Sequence, residues 1–407
     1  MKSEVGTYNF ITSRTIVLVC NDAHQALREK ISGVYFAATK YNWQVLLRTK
    51  SPTLHDIGEI RKTIKPIGFI VDPMIFNYSL GSKLFGSTPV VLLSKDYRLS
   101  VQRFDCSCQN TREPVLAAVK TLDGIGPFEC LAYVGHPSRA SWSIERGEIF
   151  GEYARCRGRY LTYIGGFDSS GEDNEFLQWL TALPKPCGLF LATDHIAPFV
   201  FNAIHRAQID VPKNLAVISV DDIHEICLNV NPPLTSVNVN FFHCGENAVE
   251  LLRRRLQDPK LPVKTMTYGV ITVSRRKSTM KVYPDKRLNS ALEFITENIT
   301  SHISSRDVIR IMGCGRRHAE QLFLKNTGKS ILHTLHALRL ERAMTLLKSS
   351  SIPLEAIPSF CGYDSNAFFK TLFRRETGMT MGEWRRTGHL SQPDPSPSPT
   401  KFQGLTP

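Results

Sequence analysis

Six polar side chains near the end of the chain are of the types that contact nucleic acids. They lie on two short helical segments of similar plan: Arg316, Arg317 and Gln321 on the first, and Asn366, Lys370 and Thr371 on the second. Arginine can donate two hydrogen bonds to a guanine edge, asparagine and glutamine can pair similarly with adenine, and lysine and hydroxyl groups reach phosphates or bases. The six residues are therefore candidate contacts to double-stranded DNA.

Each of these segments is preceded by a shorter helix and a tight turn that contains glycine. The predicted helices and turns are 303–311, 312–314 and 315–325, and then 354–361, 362–364 and 365–375. Glycine supplies the positive φ that a sharp corner between helices needs. Ala319 with Phe323, and Phe369 with Phe373, are spaced to face a core, which leaves the polar set outward. For either helix alone, the polar residues could equally be the solvent-exposed face of an unrelated helical bundle. The occurrence of two matched helix-turn-helix segments favours contacts to DNA.

A longer helix between the two units sets their predicted spacing. It covers residues 330–348 and carries Leu340, Ala343, Met344 and Leu347 on one face. Its 19 residues span about 28 Å at about 1.5 Å per residue. This length is close to the about 34 Å between successive major-groove faces on one side of B-DNA. One chain could therefore place both helices in adjacent grooves.

A second set of polar residues is associated with predicted strands in the first two thirds of the chain. These candidate ligand-binding residues are Asn21, Asp194, Asp221 and Asp222, which follow strands, and Trp142 and Arg146 early in a helix. Ligands of open parallel sheets bind beyond the carboxyl ends of the strands. Carboxylates accept hydrogen bonds from neighbouring hydroxyls, arginine donates several, and an aromatic ring can cover an apolar sugar face. The set predicts a polyhydroxylated ligand.

Each member of the second set also has a purely structural interpretation. An aspartate after a strand is often only the N-cap of the next helix, which applies above all to Asp194. Trp142 can belong to the core or its rim, and Arg146 can form a structural ion pair.

Apolar strands that alternate with amphipathic helices must position this set. The predicted strands are 15–20, 68–71, 89–93, 130–134, 188–192 and 215–220, and residues 23–40 form a helix after the first of them. The alternation predicts right-handed βαβ units with parallel sheets covered on both faces. A region of about 260 residues should split into two lobes with a cleft.

The composition suits a folded protein of about three compact units with an uneven charge distribution. The 407 residues are 42% hydrophobic and 21% charged, which is typical of globular chains. Residues 275–387 hold 20 Lys and Arg against 10 Asp and Glu, so this part carries +10 of the net charge of +13. A basic end on a nearly neutral body favours a polyanionic partner, which can be DNA, RNA or an acidic membrane surface.

Several other classes of protein are not indicated. No apolar run approaches the roughly 18–20 residues of a membrane span, and the first ten residues lack the apolar core of an export signal. The ten cysteines are scattered, and no nearby histidines complete a zinc site with Cys106 and Cys108. We expect a cytoplasmic, nucleoid-associated protein without a membrane partner, metal or cofactor.

These observations predict the organisation of the chain. A disordered arm at 1–12 precedes a two-lobed sugar-sensor domain at 13–278, a linker at 279–288, a DNA-binding domain at 289–387 and a disordered tail at 388–407. The tail is rich in proline and serine, which disfavours a packed core.

The C-terminal helices resemble a known family. The runs 339–347 (RLERAMTLL), 361–365 (CGYDS) and 376–380 (ETGMT) are similar to the DNA-binding domain of the arabinose-regulator (AraC) family. The resemblance covers about 100 residues and implies that the two helices named above read the bases. Gly315 stands where the family usually has a serine N-cap, and Pro358 stands where alanine is usual. Proline in the first turn of a helix is expected to be tolerated.

The α/β region resembles a second family. The runs 188–194 (GLFLATD), 215–222 (LAVISVDD) and 232–237 (PPLTSV) are similar to the second lobe of lactose-repressor (LacI) type sensor domains, which are related to periplasmic sugar-binding proteins. In that family an arginine matching Arg146 and acidic residues matching Asp194 and Asp221 line the sugar cleft. The implied fold is a two-lobed, periplasmic-binding-protein-like α/β domain followed by an all-α domain with two helix-turn-helix units. Sensors of this type pair through isologous surfaces, which implies a homodimer.

A sensor of this type fused to an AraC-type domain, with the run 142–146 (WSIER), is similar to bacterial xylose-operon activators. The resemblance implies a sugar-responsive, sequence-specific transcription regulator that is not an enzyme. Its partners would be operator DNA, a sugar effector such as D-xylose and, for an activator, RNA polymerase. The alternative is an enzyme with a DNA-binding module, such as a cysteine-dependent DNA-repair methyltransferase, for which Cys156 between two arginines is the candidate nucleophile. An exported solute-binding protein is opposed by the basic C-terminal helices.

Overall fold

Residues 14–76, 84–95, 104–165, 174–349 and 352–387 are described by the computed structural model. They divide into two units with a boundary between Pro284 and Asp285, which falls inside the predicted linker. The arm predicted at 1–12 and the tail predicted at 388–407 lie outside the described residues.

The first sheet of the N-terminal unit has six parallel strands. In spatial order they are β11 (Thr265–Tyr268), β5 (Asp105–Gln109), β4 (Val90–Leu92), β3 (Gly68–Val71), β1 (Arg14–Val19) and β2 (Trp43–Arg48). Helices α1 (Gln25–Thr39) and α8 (Phe241–Gln257) cover one face of this sheet, and α2 (Leu54–Thr63) covers the other. Alternate side chains of β1 pack to opposite faces: Ile16 and Leu18 lie with α1, and Val17 and Val19 lie with α2.

The second sheet also has six strands, and one of them is antiparallel. The order is β12 (Val270–Ser274), β10 (Thr235–Val239), β9 (Leu215–Val220), β8 (Cys187–Leu191), β6 (Cys130–Val134) and β7 (Arg159–Tyr163). Its helices are α3 (Arg112–Asp123), α4 (Ser141–Arg155), α5 (Asn174–Ala182), α6 (Ala197–Arg206) and α7 (His224–Cys227). The expectation of wholly parallel sheets is wrong for β12, which pairs antiparallel with β10. This strand enters its sheet directly from the first lobe, one residue after β11, instead of returning through a helix.

The chain passes between the lobes after β5, after β10 and between β11 and β12. These crossings form the hinge. Glu113 at the start of α3 accepts a hydrogen bond of 3.0 Å from the N–H of Val270 and so ties two of the crossings together. The carboxyl ends of the parallel strands in both sheets therefore face a common cleft.

Helices α1 and α8 cross so closely that glycine is required on both. A Cβ on Gly33 would overlap the backbone carbonyl of Phe242, and a Cβ on Gly245 would overlap the carbonyl of Lys30. This crossing fixes the position of α1, whose first turns reach the cleft.

The C-terminal unit is entirely helical within its described residues. Its helices are α9 (Lys286–Asn298), α10 (Ser305–Met312), α11 (Arg316–Thr327), α12 (Ile331–Ser349), α13 (Ile357–Phe360), α14 (Asn366–Thr377) and α15 (Met381–Thr387). The predicted linker 279–288 is shorter than expected, because Asp285 caps α9 by accepting from the N–H of Arg287 and the helix begins at Lys286. Pro358 lies in the first turn of α13, where it leaves the helix intact.

The predicted strands all occur, with each end within one residue of its predicted position. No helix in the described ranges is long and apolar enough to cross a membrane.

Candidate ligand cleft and nucleic-acid interface

A cavity of about 320 Å³ lies between the two lobes of the N-terminal unit. Residues at strand ends and helix starts of both lobes line it, among them His24, Lys30, Asp72 and Gln109 from the first lobe and His136, Trp142, Arg146, Thr193, His195 and Asp221 from the second. The lining combines charged groups with apolar side chains, which is the usual composition of a site for a small polar molecule.

Arg146 of α4 crosses the cavity. Its side chain is 2% exposed, and its guanidinium donates to the carbonyl of Ala192 and, over 2.8 Å, to Oε1 of Gln109 on β5. The guanidinium carbon lies 5.1 Å from the ring centre of Trp142. The indole therefore covers the arginine, which holds its donors in place before any ligand arrives.

Asp221 follows the last residue of β9 and lies at the cavity wall. Its φ of +110° is followed by +55° at Asp222, so two successive residues hold backbone conformations that L-amino acids rarely adopt. Thr193 donates to Oδ2 of Asp221 over 2.6 Å. Burial raises the pKa of Asp221, and the charge of Arg146 works in the opposite direction. Strain at a strand end that aims a carboxylate into a cavity is typical of a binding site.

Unpartnered polar atoms cluster around the same cavity. Four buried side-chain nitrogen or oxygen atoms of its lining have no hydrogen-bond partner among the described residues: His24 Nδ1, Ser94 Oγ, Gln109 Nε2 and Arg146 Nε. Each such atom costs about 1–3 kcal/mol if it stays unpaired. Two of them are obligate donors, and the serine hydroxyl and the imidazole can take either role. The group fits a molecule that presents several hydroxyl or ring oxygens.

The first lobe contributes a buried ion pair to the floor of the cleft. Lys30 and Asp72 are 7% and 4% exposed, and their charged atoms are 3.9 Å apart. Lys30 Nζ also donates to the carbonyl of Leu93 over 3.4 Å. Burial lowers the pKa of Lys30, but Asp72 together with the nearby thiols of Cys244 and Cys20 acts in the opposite direction, and the net effect raises the pKa.

Three residues of the predicted ligand set do not line the cavity. Asp194 is 0% exposed, and its oxygens accept from the N–H of Ile223 over 2.7 Å and the hydroxyl of Ser236 over 2.8 Å. Burial and then the charge of Asp221 raise its pKa to about 7. Asp194 therefore joins the ends of neighbouring strands, and its predicted ligand contact is not met by the geometry.

Asp222 and Asn21 likewise have other contacts. Asp222 is 2% exposed, and its carboxylate accepts from Arg276 over 2.8 Å and from Asn238 over 3.0 Å. Asn21 is exposed, and its Oδ1 accepts from the N–H of Ala23 over 2.6 Å. Both residues follow strands as predicted, but their side chains stabilise the strand ends.

Several cavity residues were missed in the sequence. Asp72 follows β3, Gln109 ends β5, and His136 follows β6 by two residues. Asp72 and His136 follow predicted strands and obey the rule that selected the other candidates, whereas Gln109 ends a strand that the sequence did not predict. His24 and His195 required the tertiary structure, because neither directly follows a strand.

The two helices predicted to contact DNA present their polar side chains to solvent. On α11, Ala319 and Phe323 are fully buried, and on α14 Phe369 and Phe373 are fully buried. The opposite faces are exposed and hold all six predicted residues: Arg316, Arg317, Gln321, Asn366, Lys370 and Thr371. Arg374 is exposed three residues after Thr371, so it belongs to the same face and was missed.

Helix α12 holds the two helix-turn-helix units together. Arg339 is 6% exposed and donates to the carbonyls of Ser301 over 2.7 Å and Ile303 over 3.0 Å, in the loop before α10. One turn earlier, His336 Nδ1 lies 2.6 Å from the hydroxyl of Tyr363, in the turn before α14. Helix α12 therefore contacts both helix-turn-helix units.

Cys156, the candidate nucleophile of the enzyme alternative, lies at the C-terminal end of α4. Its exposed thiol donates to the carbonyl of Glu152 over 3.4 Å.

Comparisons with known proteins match both units. The family profile of the periplasmic binding protein-like domain matches residues 128–279, and that of a helix-turn-helix domain matches residues 308–387. The xylose operon regulatory protein of Haemophilus influenzae is 28% identical over 251 residues, which are 60% of this chain and 65% of that protein. Its counterpart in Escherichia coli strain K12 is 27% identical over 263 residues, covering 62% and 67%. The matched region thus spans about two thirds of the length of these curated relatives, to which the chain is homologous.

A solved structure is similar over nearly the whole chain. The structure of the xylose-binding transcription activator XylR superimposes with a TM-score of 0.57 and 23% identity, covering 93% of this chain and 99% of that one. The predicted fold class, a two-lobed periplasmic-binding-protein-like α/β domain followed by an all-α domain of the helix-turn-helix type, is confirmed.

Proposed function

Because the chain joins a periplasmic binding protein-like domain to a helix-turn-helix domain, we propose that it is a sugar-responsive, sequence-specific transcription regulator. The observation that carries the sugar half of the proposal is the cluster of four unpartnered buried polar atoms around one cavity. The DNA half rests on two exposed polar helix faces anchored to a single connecting helix.

D-Xylose is the proposed effector. Two relatives carry the name of xylose operon regulatory proteins. The cavity of about 320 Å³ is at the small end of the about 300–1,000 Å³ that is usual for small-molecule sites, which suits a monosaccharide. Arg146 and Gln109 would donate to sugar oxygens, and Asp221 would accept from sugar hydroxyls.

Regulation would follow from closure of the two lobes around the sugar. A ligand shifts such an equilibrium only by its preference for one of the two states. Arg146 suits this role because it contacts both lobes. We propose that the protein acts in the cytoplasm as a homodimer on operator DNA, as an activator that engages RNA polymerase.

The sugar proposal is tested by thermal unfolding of the full chain with a panel of pentoses and hexoses. D-Xylose should raise the melting temperature by mass action. Asp221→Asn should lose at least tenfold in affinity by calorimetry, whereas Asp210→Asn, which changes an exposed aspartate on the surface, should bind as the unaltered chain does. If no sugar in the panel shifts the melting temperature, the sensor proposal is wrong.

The DNA proposal is tested with a duplex selected by the protein from a random pool. Arg317→Ala and Lys370→Ala should each weaken binding by about tenfold, within the about 1–3 kcal/mol of a good base contact, and should relax selection at particular positions. Lys286→Ala removes one positive charge from an exposed position on α9, and it should weaken DNA binding less and equally for all sequences. Unchanged affinity and selection in both test variants would contradict the assigned faces.

A further inference from the structure

Two histidines meet across the cavity. His24 immediately precedes α1 in the first lobe, and His195 lies in a short 3₁₀ turn, Asp194–Ile196, after β8 in the second lobe. Their ring centres are 4.9 Å apart with an interplanar angle of 67°, which is edge-to-face packing. Both rings line the cavity, so this contact exists only while the lobes are close together.

The surroundings of His24 disfavour a charged imidazole. Its Nδ1 atom is buried without a hydrogen-bond partner. Burial lowers the pKa of His24 to about 4, and the charge of His195 is the next cause. On its own helix, Lys30 and Arg28 act in the same direction, and Asp72 at the end of β3 opposes them.

The groups that face His195 come from other elements of the second lobe. Asp221, at the end of β9, interacts electrostatically with His195. His136, after β6, has its pKa lowered by burial first and by His195 second. Three imidazoles therefore share one cavity, and each additional proton there is opposed by those already bound.

We propose that His24 and His195 form a closing contact of the effector site, in which His24 Nδ1 hydrogen-bonds the sugar and the His24 ring must be neutral, so that the effector binds less tightly in acid. The inference rests on the proposed sugar-sensing function and adds two ligand-site residues and a pH dependence to it. The preferred ligand is a neutral polyhydroxylated molecule, since the unpartnered Nδ1 faces it without a charge.

The size of the effect follows from proton linkage. In an open cleft His24 regains the ordinary pKa of 6.5, whereas the closed arrangement holds it at about 4. Closing therefore expels a proton below pH 6.5, and affinity is lost as the pH falls from there toward about 4. Between pH 7.5 and pH 5.5 the expected loss of affinity is about tenfold.

Calorimetric titration of the full chain at these two pH values tests the proposal. D-Xylose is the probe, and the other sugars of the panel are titrated in the same way. His24→Gln keeps a neutral hydrogen-bonding group, and it should bind within about threefold of the unaltered chain at pH 7.5 and about tenfold more tightly at pH 5.5. His205→Gln, on the exposed side of α6, is the matched control and should keep the full pH dependence. Equal pH dependence in His24→Gln and His205→Gln would overturn the inference while leaving the sugar proposal intact.

A second measurement follows the protonation of His24 directly. The ring C2 proton of His24, followed by NMR in the full chain, should titrate below pH 5 with saturating D-xylose and near pH 6.5 without it, and His195→Gln should raise the midpoint of the sugar-bound form. A midpoint near 6.5 in the sugar-bound form that does not respond to His195→Gln would refute the contact. Failure of every sugar to bind at pH 7.5 counts against the proposed function, whereas sugar binding that leaves the His24 midpoint unchanged counts against the inference alone.

Discussion

Replacing Gly33 with alanine should destabilise the N-terminal unit, although alanine is the better helix former. Gly33 lies inside α1 where this helix crosses α8. An added Cβ would overlap the carbonyl of Phe242 and lie 3.2 Å from Cα of Gly245. Both neighbours are backbone atoms, so no side-chain rotation relieves the overlap and the helices must move apart.

Two opposing effects determine the magnitude. Helix propensity favours alanine by about 1 kcal/mol, whereas overpacking a tight contact costs about 1–3 kcal/mol and more where backbone must shift. We expect a net loss of about 2 kcal/mol in the free energy of unfolding. For a unit of this size, that lowers the melting temperature by about 4–8 °C. Sugar affinity should fall as well, because displacement of α1 moves His24 and Lys30 at the cleft.

Gly58→Ala provides the matched control. Gly58 is also inside a helix, α2, but a Cβ there meets no atom within 4 Å. This variant should be as stable as the unaltered chain or more stable by up to about 1 kcal/mol. Calorimetry of the full chain with and without D-xylose identifies the transition of the N-terminal unit, since only that transition should respond to sugar. If Gly33→Ala melts at or above the unaltered chain, as Gly58→Ala should, the account of the helix crossing is wrong.

Three further predictions concern other parts of the chain. Gly362→Ala should abolish tight operator binding, because φ is +77° at Gly362 and an added Cβ would lie 2.7 Å from the carbonyl oxygen of Ser301. Gly328→Ala is the control: φ is +72° there but the space around an added Cβ is open, so this variant should lose only about 1 kcal/mol in the free energy of unfolding. Arg255→Met should lower the free energy of unfolding by about 3 kcal/mol in urea titrations, because it removes two hydrogen bonds of 2.8 and 3.0 Å from a carboxylate, Asp105, that is 1% exposed. Asp194 has a folded-state pKa of about 7, above its ordinary 3.8, so its contribution to stability is largest in acid and is lost as the pH rises through that window. Asp194→Asn should flatten this part of the pH profile of unfolding, and an unchanged profile would show that the carboxyl titrates normally.

Local patterns in the sequence located six of the twelve described strands and were sufficient for the fold class. Strand β1 was predicted because its apolar run is continuous, and it is continuous because both of its faces are covered. The pair of helix-turn-helix units was visible from glycine turns and from aromatic residues four positions apart. The outward faces of α11 and α14 followed from the helical period alone, since a residue opposite a buried stripe must face solvent.

The antiparallel pairing of β12 could not be predicted in this way. Its sequence resembles that of any short strand, and its direction depends on where the chain enters the second sheet. The hinge decides that, because β11 belongs to the first lobe and β12 to the second with one residue between them.

Prediction of the cleft residues from the sequence has the same limit. The sequence by itself located strand ends, and it thereby found Asp221 as well as Asp194 and Asp222, which are equivalent by that criterion. Only the tertiary structure distinguishes the carboxylate that lines the cavity from the two that do not. Asp221 lies at the cavity wall where the backbone turns with positive φ values. Ser236 and Arg276, which are distant in the sequence, bind the carboxylates of Asp194 and Asp222. Likewise, no periodicity in either lobe signals that His24 meets His195. That contact depends on the packing of two lobes, because the two histidines lie 171 positions apart in the sequence, and local sequence patterns carry information only over a few helical turns.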